Sequence, residues 1–283
     1  MILLNIVPTL FARAALVAVF YSTCCVADQG IDRAFMRLYN FDFPGAHRAI
    51  DAHLVEMPGD PLAYGVRAAA LLFQELDRLE ILHGEFFADD KRVAEKKKLK
   101  PDAAIRLRFF QSIAEAQTKA KAILAKNPSD EGALFTLSLA AGLTADYNSL
   151  IDKRQLASFA FIKESNEWAQ QLMKVNPAFV DCYLTSGLTE YLVGSLPFFL
   201  RWFVHIDGVE GSKDQARLKL TRVAESGRYL KPFAQILLAI YYLREKNPAA
   251  SQKILTDLSQ RYPDNPLYRR ELGRITQSIR PPA

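Results

Sequence analysis

Few residues of this 283-residue chain have the types and spacing that catalysis or metal binding needs. The four histidines are His47, His53, His83 and His205. His47 and His53 lie six positions apart and so do not share a helix face, and no histidine lies near a CxxC pair. The chain has no nucleophile elbow and no glycine-rich phosphate-binding loop. The sequence therefore predicts no metal, no cofactor and no enzymatic activity.

One group of polar residues leaves an enzyme of unrecognised type as an alternative. The group consists of Glu190, Arg201, His205, Asp207 and Glu210. Acid–base catalysis needs such groups to converge in a polar cleft. If the fold brings them together, catalytic chemistry is expected here.

The segment 196–206 between these polar residues is unusually aromatic. It contains Phe198, Phe199, Trp202 and Phe203. Four large rings in six positions cannot all face one neighbouring helix, and the segment is too short to span a membrane. It is either a wedge in the core between two hairpins or an exposed anchor for a partner protein or a bilayer surface. In the second case Arg201 and His205 would be its polar tips.

The elements that must position these residues are helices, because apolar residues recur every three or four positions from Asp28 onward. Proline junctions separate these stretches, at Met57-Pro58, Asn127-Pro128, Asn176-Pro177 and Tyr262-Pro263. Proline ends a helix, and a following Asp or Asn caps the next one. Asp60 and Ser212 are expected to cap helices, and Gly227 to end one in a left-handed turn. The sequence predicts an all-α chain of antiparallel hairpins with about 12–13 helices.

A repeat pattern extends this prediction. With Pro263 as the closing proline of a repeat of about 34 residues, Leu238, Ala239 and Tyr242 take the Leu, small and Tyr positions of its first helix. Ser251 and Leu255 take the small and bulky positions of the second helix. On these residues the chain resembles the tetratricopeptide-repeat (TPR) family, clearly over 231–278 and more loosely over most of the chain after residue 27. The marking prolines lie 70, 49 and 86 residues apart, so several hairpins must be longer than the family pattern.

The resemblance implies an α-solenoid that acts as an adaptor, with a concave groove lined by first-helix positions. Carried over, these positions are Phe135, Leu139, Leu143, Leu184, Leu188, Tyr191, Leu192, Ile236, Ile240 and Leu243. This face is apolar and would be costly to expose to water. Either the segment 196–206 plugs the groove, or the groove is open and accepts an amphipathic helix or an acyl chain. Under the plug hypothesis, replacing Trp202 and Phe203 by Ala should strongly destabilise the fold.

Residues 1–27 have the features of an export segment. Arg13 supplies a positive charge, residues 14–23 form an apolar run, and Cys25-Val26-Ala27 precede a predicted cleavage site before Asp28. An uncleaved anchor is the alternative, and lipidation at Cys24 a further one. After cleavage only Cys182 remains of the three cysteines, so no intramolecular disulfide is expected, and Cys182 is interpreted as a small buried hydrophobe.

A basic run at residues 91–100 ends in Lys96-Lys97-Lys98-Leu99-Lys100. It is interpreted as a solvated connection, and the alternative is a patch for an acidic partner such as anionic lipid headgroups. No aromatic residues alternate with the lysines, so a nucleic-acid partner is not indicated. The run near 90–100 could also divide the domain in two.

Together these observations predict an export segment at 1–27 and a TPR-like helical domain at 28–283. The predicted function is a non-enzymatic scaffold for an unknown protein partner in the cell envelope, periplasmic or membrane-associated on the outer side. The alternative is a carrier of an apolar ligand, with a membrane-surface contact as a further interaction.

Overall fold

The structure is a computed structural model that describes residues 29–82, 99–195, 206 and 208–279. The predictions for the leader, for residues 91–98 and for Phe198, Phe199, Arg201, Trp202, Phe203, His205 and Asp207 fall outside these ranges. The described ranges contain eleven α-helices and no strand. The helices are α1 (29–39), α2 (Phe43–Glu56), α3 (Pro61–Arg78), α4 (Ala103–Leu124), α5 (Glu131–Asp146), α6 (Gln155–Val175), α7 (Tyr183–Gly194), α8 (Lys213–Ser226), α9 (Lys231–Arg244), α10 (Pro248–Arg261) and α11 (Pro266–Ile279).

From α2 onward each helix packs against the next one in the chain, and α3 also packs against α5. The odd-numbered helices are the first helices of successive hairpins and the even-numbered ones the second. The predicted all-α, solenoid-like stack of hairpins is confirmed. In the part of the chain that the structure describes, no helix is both long enough and apolar enough to cross a membrane.

The four proline junctions share one backbone turn. At each, the residue before the proline donates its N–H to the carbonyl four positions earlier, and its own carbonyl accepts the N–H of the residue three positions later. The predicted cap at Asp60 is present, since its Oδ1 accepts the Leu62 N–H at 2.9 Å. Ser212 caps α8 through the Gln215 N–H at 3.3 Å. The spacing of proline and capping residue therefore predicted the hairpin boundaries correctly.

A fifth junction, before α9, lacks proline, and the sequence predicted there only that a helix ends at Gly227. Gly227 donates its N–H to the Val223 carbonyl at 2.8 Å, as the residue before proline does elsewhere, and Arg228 stands in the proline position. The predicted left-handed turn at Gly227 is wrong, since its φ is −63°. Glycine is needed there for space, because a Cβ would lie 2.7 Å from the Val223 carbonyl oxygen. Arg228 divides the 86-residue interval between Pro177 and Pro263 into 51 and 35 residues, the second close to the length of one repeat.

Three first helices end in the same way. After α1, α3 and α9, Phe41, Glu80 and Lys246 take left-handed backbone conformations with φ of 63°, 56° and 57°. Each donates its N–H to the carbonyl three residues earlier, and the following residue donates to the carbonyl five residues earlier. This is the Schellman cap, here with side-chain-bearing residues in a position that favours glycine.

Candidate functional site

Two residues of the predicted polar group, Glu190 and Glu210, lie in the described part of the chain, and Glu190 is on α7. Glu190 is buried and makes several hydrogen bonds. Its carboxylate is 2% exposed and accepts the backbone N–H groups of Gly211 at 2.7 Å and Ser212 at 3.0 Å, with Glu210 at 3.2 Å. The Lys219 ammonium on α8 donates to its other oxygen at 3.0 Å. The side chain therefore fastens the segment before α8 onto α7.

These contacts decide the protonation of Glu190. Burial alone raises the pKa of its carboxyl, but the hydrogen bonds from Ser212 and Lys219 outweigh burial and hold the pKa below its ordinary value. The carboxylate is thus ionised, and its lone pairs are occupied by protein donors. An open pocket of about 470 Å³ adjoins it, lined by Ile206, Gly208, Val209, Glu210, Gln215 and Lys219. Of the five predicted residues, the structure brings together Glu190 and Glu210, and Glu210 contributes its backbone N–H.

Glu75 on α3 fastens the connection between α3 and α4 in the same way. It is buried on α3, accepts two hydrogen bonds from Arg78 at 2.8 Å, and accepts the Asp102 N–H at 2.7 Å just before α4. In both hairpins a buried glutamate of the first helix binds the backbone that precedes the second. The two carboxylates are therefore anchors of the fold.

Two other residues with reactive side chains, His53 and Cys182, are also held by hydrogen bonds of the fold. His53 Nε2 lies 2.6 Å from Asp60 Oδ2, which joins α2 to the cap of α3. Burial raises the pKa of the Cys182 thiol to about 12, and the thiol donates to the Phe179 carbonyl at 2.8 Å, in agreement with a small buried side chain. Among the described residues, no group of three or more His, Cys, Asp or Glu side chains is placed to hold a metal.

The residues predicted to line the groove occupy different environments. Phe135 and Leu184 are buried in the main core cluster, and Leu139 packs at its edge against Gly65 of α3. Leu143 is buried with the α3–α4 core, whereas Ile236 and Leu243 pack on the cluster formed with α10 and α11. Tyr191 packs against Ala216 and Tyr241. Leu188 and Ile240 are partly buried, and Leu192 is 43% exposed.

The chain's own first helix, α1, covers one end of this apolar surface. Its Ile31, Ala34 and Phe35 are buried in one cluster with Phe135 of α5, Leu184 of α7 and Leu238 of α9. The Tyr39 hydroxyl donates to the Tyr229 carbonyl at 2.8 Å, and the Asn265 amide donates to the Tyr39 carbonyl at 2.9 Å. The helix that sequence reasoning assigned only to the first hairpin therefore also contacts the turns that precede α9 and α11.

Phe35 and Tyr39 are central to a continuous series of ring contacts, called here the aromatic ladder. Its successive pairs are Phe179–Phe135 (5.2 Å between ring centroids), Phe135–Tyr229 (5.8 Å), Tyr229–Phe35 (5.2 Å), Phe35–Tyr39 (6.2 Å), Tyr39–Tyr262 (5.7 Å) and Tyr262–Tyr268 (6.2 Å). The ladder connects the N-terminal helix to α5 on one side and α11 on the other. The only sequence signal for it was the pair of aromatic residues four positions apart on an amphipathic first helix.

Comparisons with known proteins add one likeness in fold. No protein-family model matches the chain, and no curated protein matches it. Among solved structures, the chain is similar to a thermophilic TPR protein of Thermus thermophilus, with a TM-score of 0.47 and 16% identity, over 88% of this chain and 99% of that chain. The helix packing described above makes this chain a TPR-like helical repeat protein in architecture.

Proposed function

We propose that the protein is a non-enzymatic scaffold of the cell envelope that binds an amphipathic helix of a partner protein. The observation that supports this is the position of α1. An amphipathic helix of the chain itself lies on the apolar surface formed by α5, α7 and α9, and packs there through aromatic side chains. Helix-in-groove binding uses the same physics, with apolar residues at helical spacing set into an apolar surface.

The part of the surface that remains for a partner is marked by one stripe on α7. Leu184, Leu188 and Leu192 lie four positions apart on one face, and their exposure rises along the helix from buried to partly buried to 43%. Leu184, at the beginning of this stripe, is buried in one cluster with residues of α1, and Leu192, at its end, is exposed. Ile240 on α9 is also partly buried. A partner helix that packs its apolar face here would bury the apolar surface that these side chains still expose to water.

Two lines of reasoning favour binding over catalysis and support the location. Glu75, Glu190 and His53, buried groups of the kind that catalysis uses, bind backbone N–H groups, Lys219, Arg78 or Asp60 in the described structure. The location in the envelope is supported by the leader-like composition of residues 1–27.

Site-specific photo-crosslinking in the native host tests the proposed groove. A benzoylphenylalanine at Leu192 is expected to give a discrete protein adduct, identified by mass spectrometry. The matched control carries the same residue at Val55, which is exposed on α2, and should give no such adduct. An adduct with a lipid or another small apolar molecule would instead favour the carrier, and identical patterns at both positions would contradict the proposal.

A second measurement tests the location and the carrier alternative together. The chain is expressed with its own leader, and its intact mass is measured by mass spectrometry under native and denaturing conditions. For an exported scaffold we expect the mass of a chain that begins at Asp28, with no bound component released on denaturation. An unprocessed chain would contradict processing at this site, and a component lost on denaturation would favour the carrier.

A further inference from the structure

A second surface lies on α4 and α6, the second helices of two hairpins. It exposes large apolar side chains that the proposed groove does not explain. Leu107 near the start of α4 is 60% exposed, and Leu156 in the first turn of α6 is 94% exposed. Phe159, one turn further along α6, is also exposed. Full exposure of leucine is unfavourable in water, so three large apolar residues here call for an explanation.

An ion pair links α4 to the connection just before α6. The Arg106 guanidinium Nη1 lies 2.7 Å and 2.9 Å from the two carboxylate oxygens of Asp152. Arg106 also stacks on the rings of Phe110 and Tyr147, which fixes its direction. Leu107 follows Arg106 directly in α4, and Leu156 lies in the first turn of α6, four residues after Asp152. The ion pair thus brings the beginnings of α4 and α6 near each other, and the three exposed apolar residues there are called here the α4–α6 patch.

The border of the patch is basic. Lys100, Arg108 and Arg154 are exposed around it. The two acidic residues at these helix starts are already engaged, because Asp102 caps α4 by accepting the Ala104 and Ile105 N–H groups and Asp152 pairs with Arg106. No side chain caps the start of α6, so the positive end of its helix dipole adds to this field.

We infer that the α4–α6 patch docks the protein on an anionic lipid bilayer. Leu107, Leu156 and Phe159 would enter the boundary between headgroups and acyl chains, and Lys100, Arg108 and Arg154 would face the lipid phosphates. Surface-bound helices combine apolar and basic residues in this way, and anionic lipid attracts each nearby basic residue. Charge complementarity favours lipid over a protein partner, because the exposed Lys100, Arg108 and Arg154 at the border of the patch are all basic.

Vesicle sedimentation tests this inference with residues 28–283, a chain that keeps every described helix and lacks the leader, which would bind lipid by itself. Binding to vesicles that contain phosphatidylglycerol is expected to exceed binding to pure phosphatidylcholine, and to fall as salt is added. Replacing Leu107 and Leu156 by Ser should weaken binding about tenfold. The matched control is Leu218→Ser, a 53% exposed leucine on α8, which should change nothing.

A charge variant separates the two contributions. Replacing Arg108 and Arg154 by Gln should weaken binding to the anionic vesicles about tenfold, and should leave residual binding to neutral vesicles unchanged. Circular dichroism melting of every variant shows that the chain remains folded. Equal binding to both vesicle types, binding to neither, or an equal loss in Leu218→Ser would overturn the inference. Self-association that the Leu107 and Leu156 substitutions abolish would overturn it in favour of an interface between two copies.

Discussion

Asp146, the last residue of α5, is an ionisable residue whose burial no described partner compensates. It is partly buried and makes no hydrogen bond or ion pair with a described residue, and burial raises the pKa of its carboxyl to about 7. Because the pKa is raised in the folded state, the folded chain binds this proton more tightly than the unfolded chain does. The associated stability is complete below about pH 4 and is lost as the pH rises through about 7.

Asp146→Asn is therefore expected to raise the free energy of unfolding by about 1–2 kcal/mol at about pH 8 and to change it little at about pH 4. Urea denaturation at both pH values measures the difference. The control is Asp77→Asn, an exposed residue in the last turn of α3, which should have little effect at either pH. Parallel pH profiles for wild type and Asp146→Asn would contradict the burial argument.

Asp181 satisfies the backbone N–H groups at the fifth junction. At the other four junctions, proline removes one such donor and a nearby side chain accepts another. The Asp181 carboxylate accepts the N–H groups of Arg228 at 3.0 Å, Tyr229 at 3.2 Å and Leu230 at 2.8 Å. Proline has no N–H to satisfy, whereas Arg228 in the proline position has one. α9 also lacks a side-chain cap of its own. A residue of another hairpin thus completes this turn.

Asp181→Ala is expected to cost about 3 kcal/mol, because it leaves three backbone donors without an acceptor, two of them in buried hydrogen bonds. The matched comparison is Asp130→Ala, which removes a single capping bond to the Ala133 N–H and should cost about 1 kcal/mol. Urea denaturation of both variants measures these costs. Equal losses would show that Asp181 is an ordinary cap.

At the scale of elements, the sequence could predict those helix boundaries and caps whose determining residues lie close together in the chain. The four proline junctions and the caps at Asp60 and Ser212 were predictable, because proline and a neighbouring acceptor act within a few residues. At the fifth junction the helix end at Gly227 was predicted, but its completion by Asp181 was not, because this acceptor for the Arg228 N–H lies 47 residues away. The groove residues were predictably apolar, but their separate environments depend on neighbours from other hairpins.

The left-handed residues after α1, α3 and α9 affect the stability of the helix ends. Residues other than glycine pay about 1 kcal/mol in this conformation, since Cβ crowds the carbonyl oxygen. Lys246 is exposed, so its side chain contributes little to offset that cost.

Lys246→Gly is expected to raise the free energy of unfolding by about 0.5–1 kcal/mol, measured by thermal and urea denaturation. Lys126 provides the matched control, since it stands two residues beyond the end of α4, as Lys246 does beyond α9, but is not left-handed. Lys126→Gly should give no gain. A gain of the same size at both positions would mean that conformation at residue 246 is not its source.

At the scale of the whole molecule, α1 joins the two ends of the hairpin stack. Its contacts with Tyr229 and Asn265 span 190 and 226 residues of sequence. No periodicity within a segment carries information about such contacts, so the sequence predicted the apolar surface and offered 196–206 as one possible cover for it, but did not indicate α1. That assignment stays a prediction, because residues 196–205 lie outside the described part of the chain. α3 and α4, the helices before and after residues 83–98, pack against each other.

Phe35→Ala tests whether α1 couples the two ends. A helix of eleven residues is marginal on its own, so α1 depends on the aromatic ladder for its position, and the ladder depends on α1. The substitution should cost about 3–4 kcal/mol and should speed amide hydrogen exchange around Tyr229 and in the 262–265 turn as well as in α1 itself. Met36→Ala is the control, since Met36 is the next residue on the same helix and is 49% exposed; it should cost less than about 0.5 kcal/mol. Faster exchange confined to α1 would mean that the hairpin stack is held together without it, and α1 would then be an occupant of the groove that a partner helix can displace.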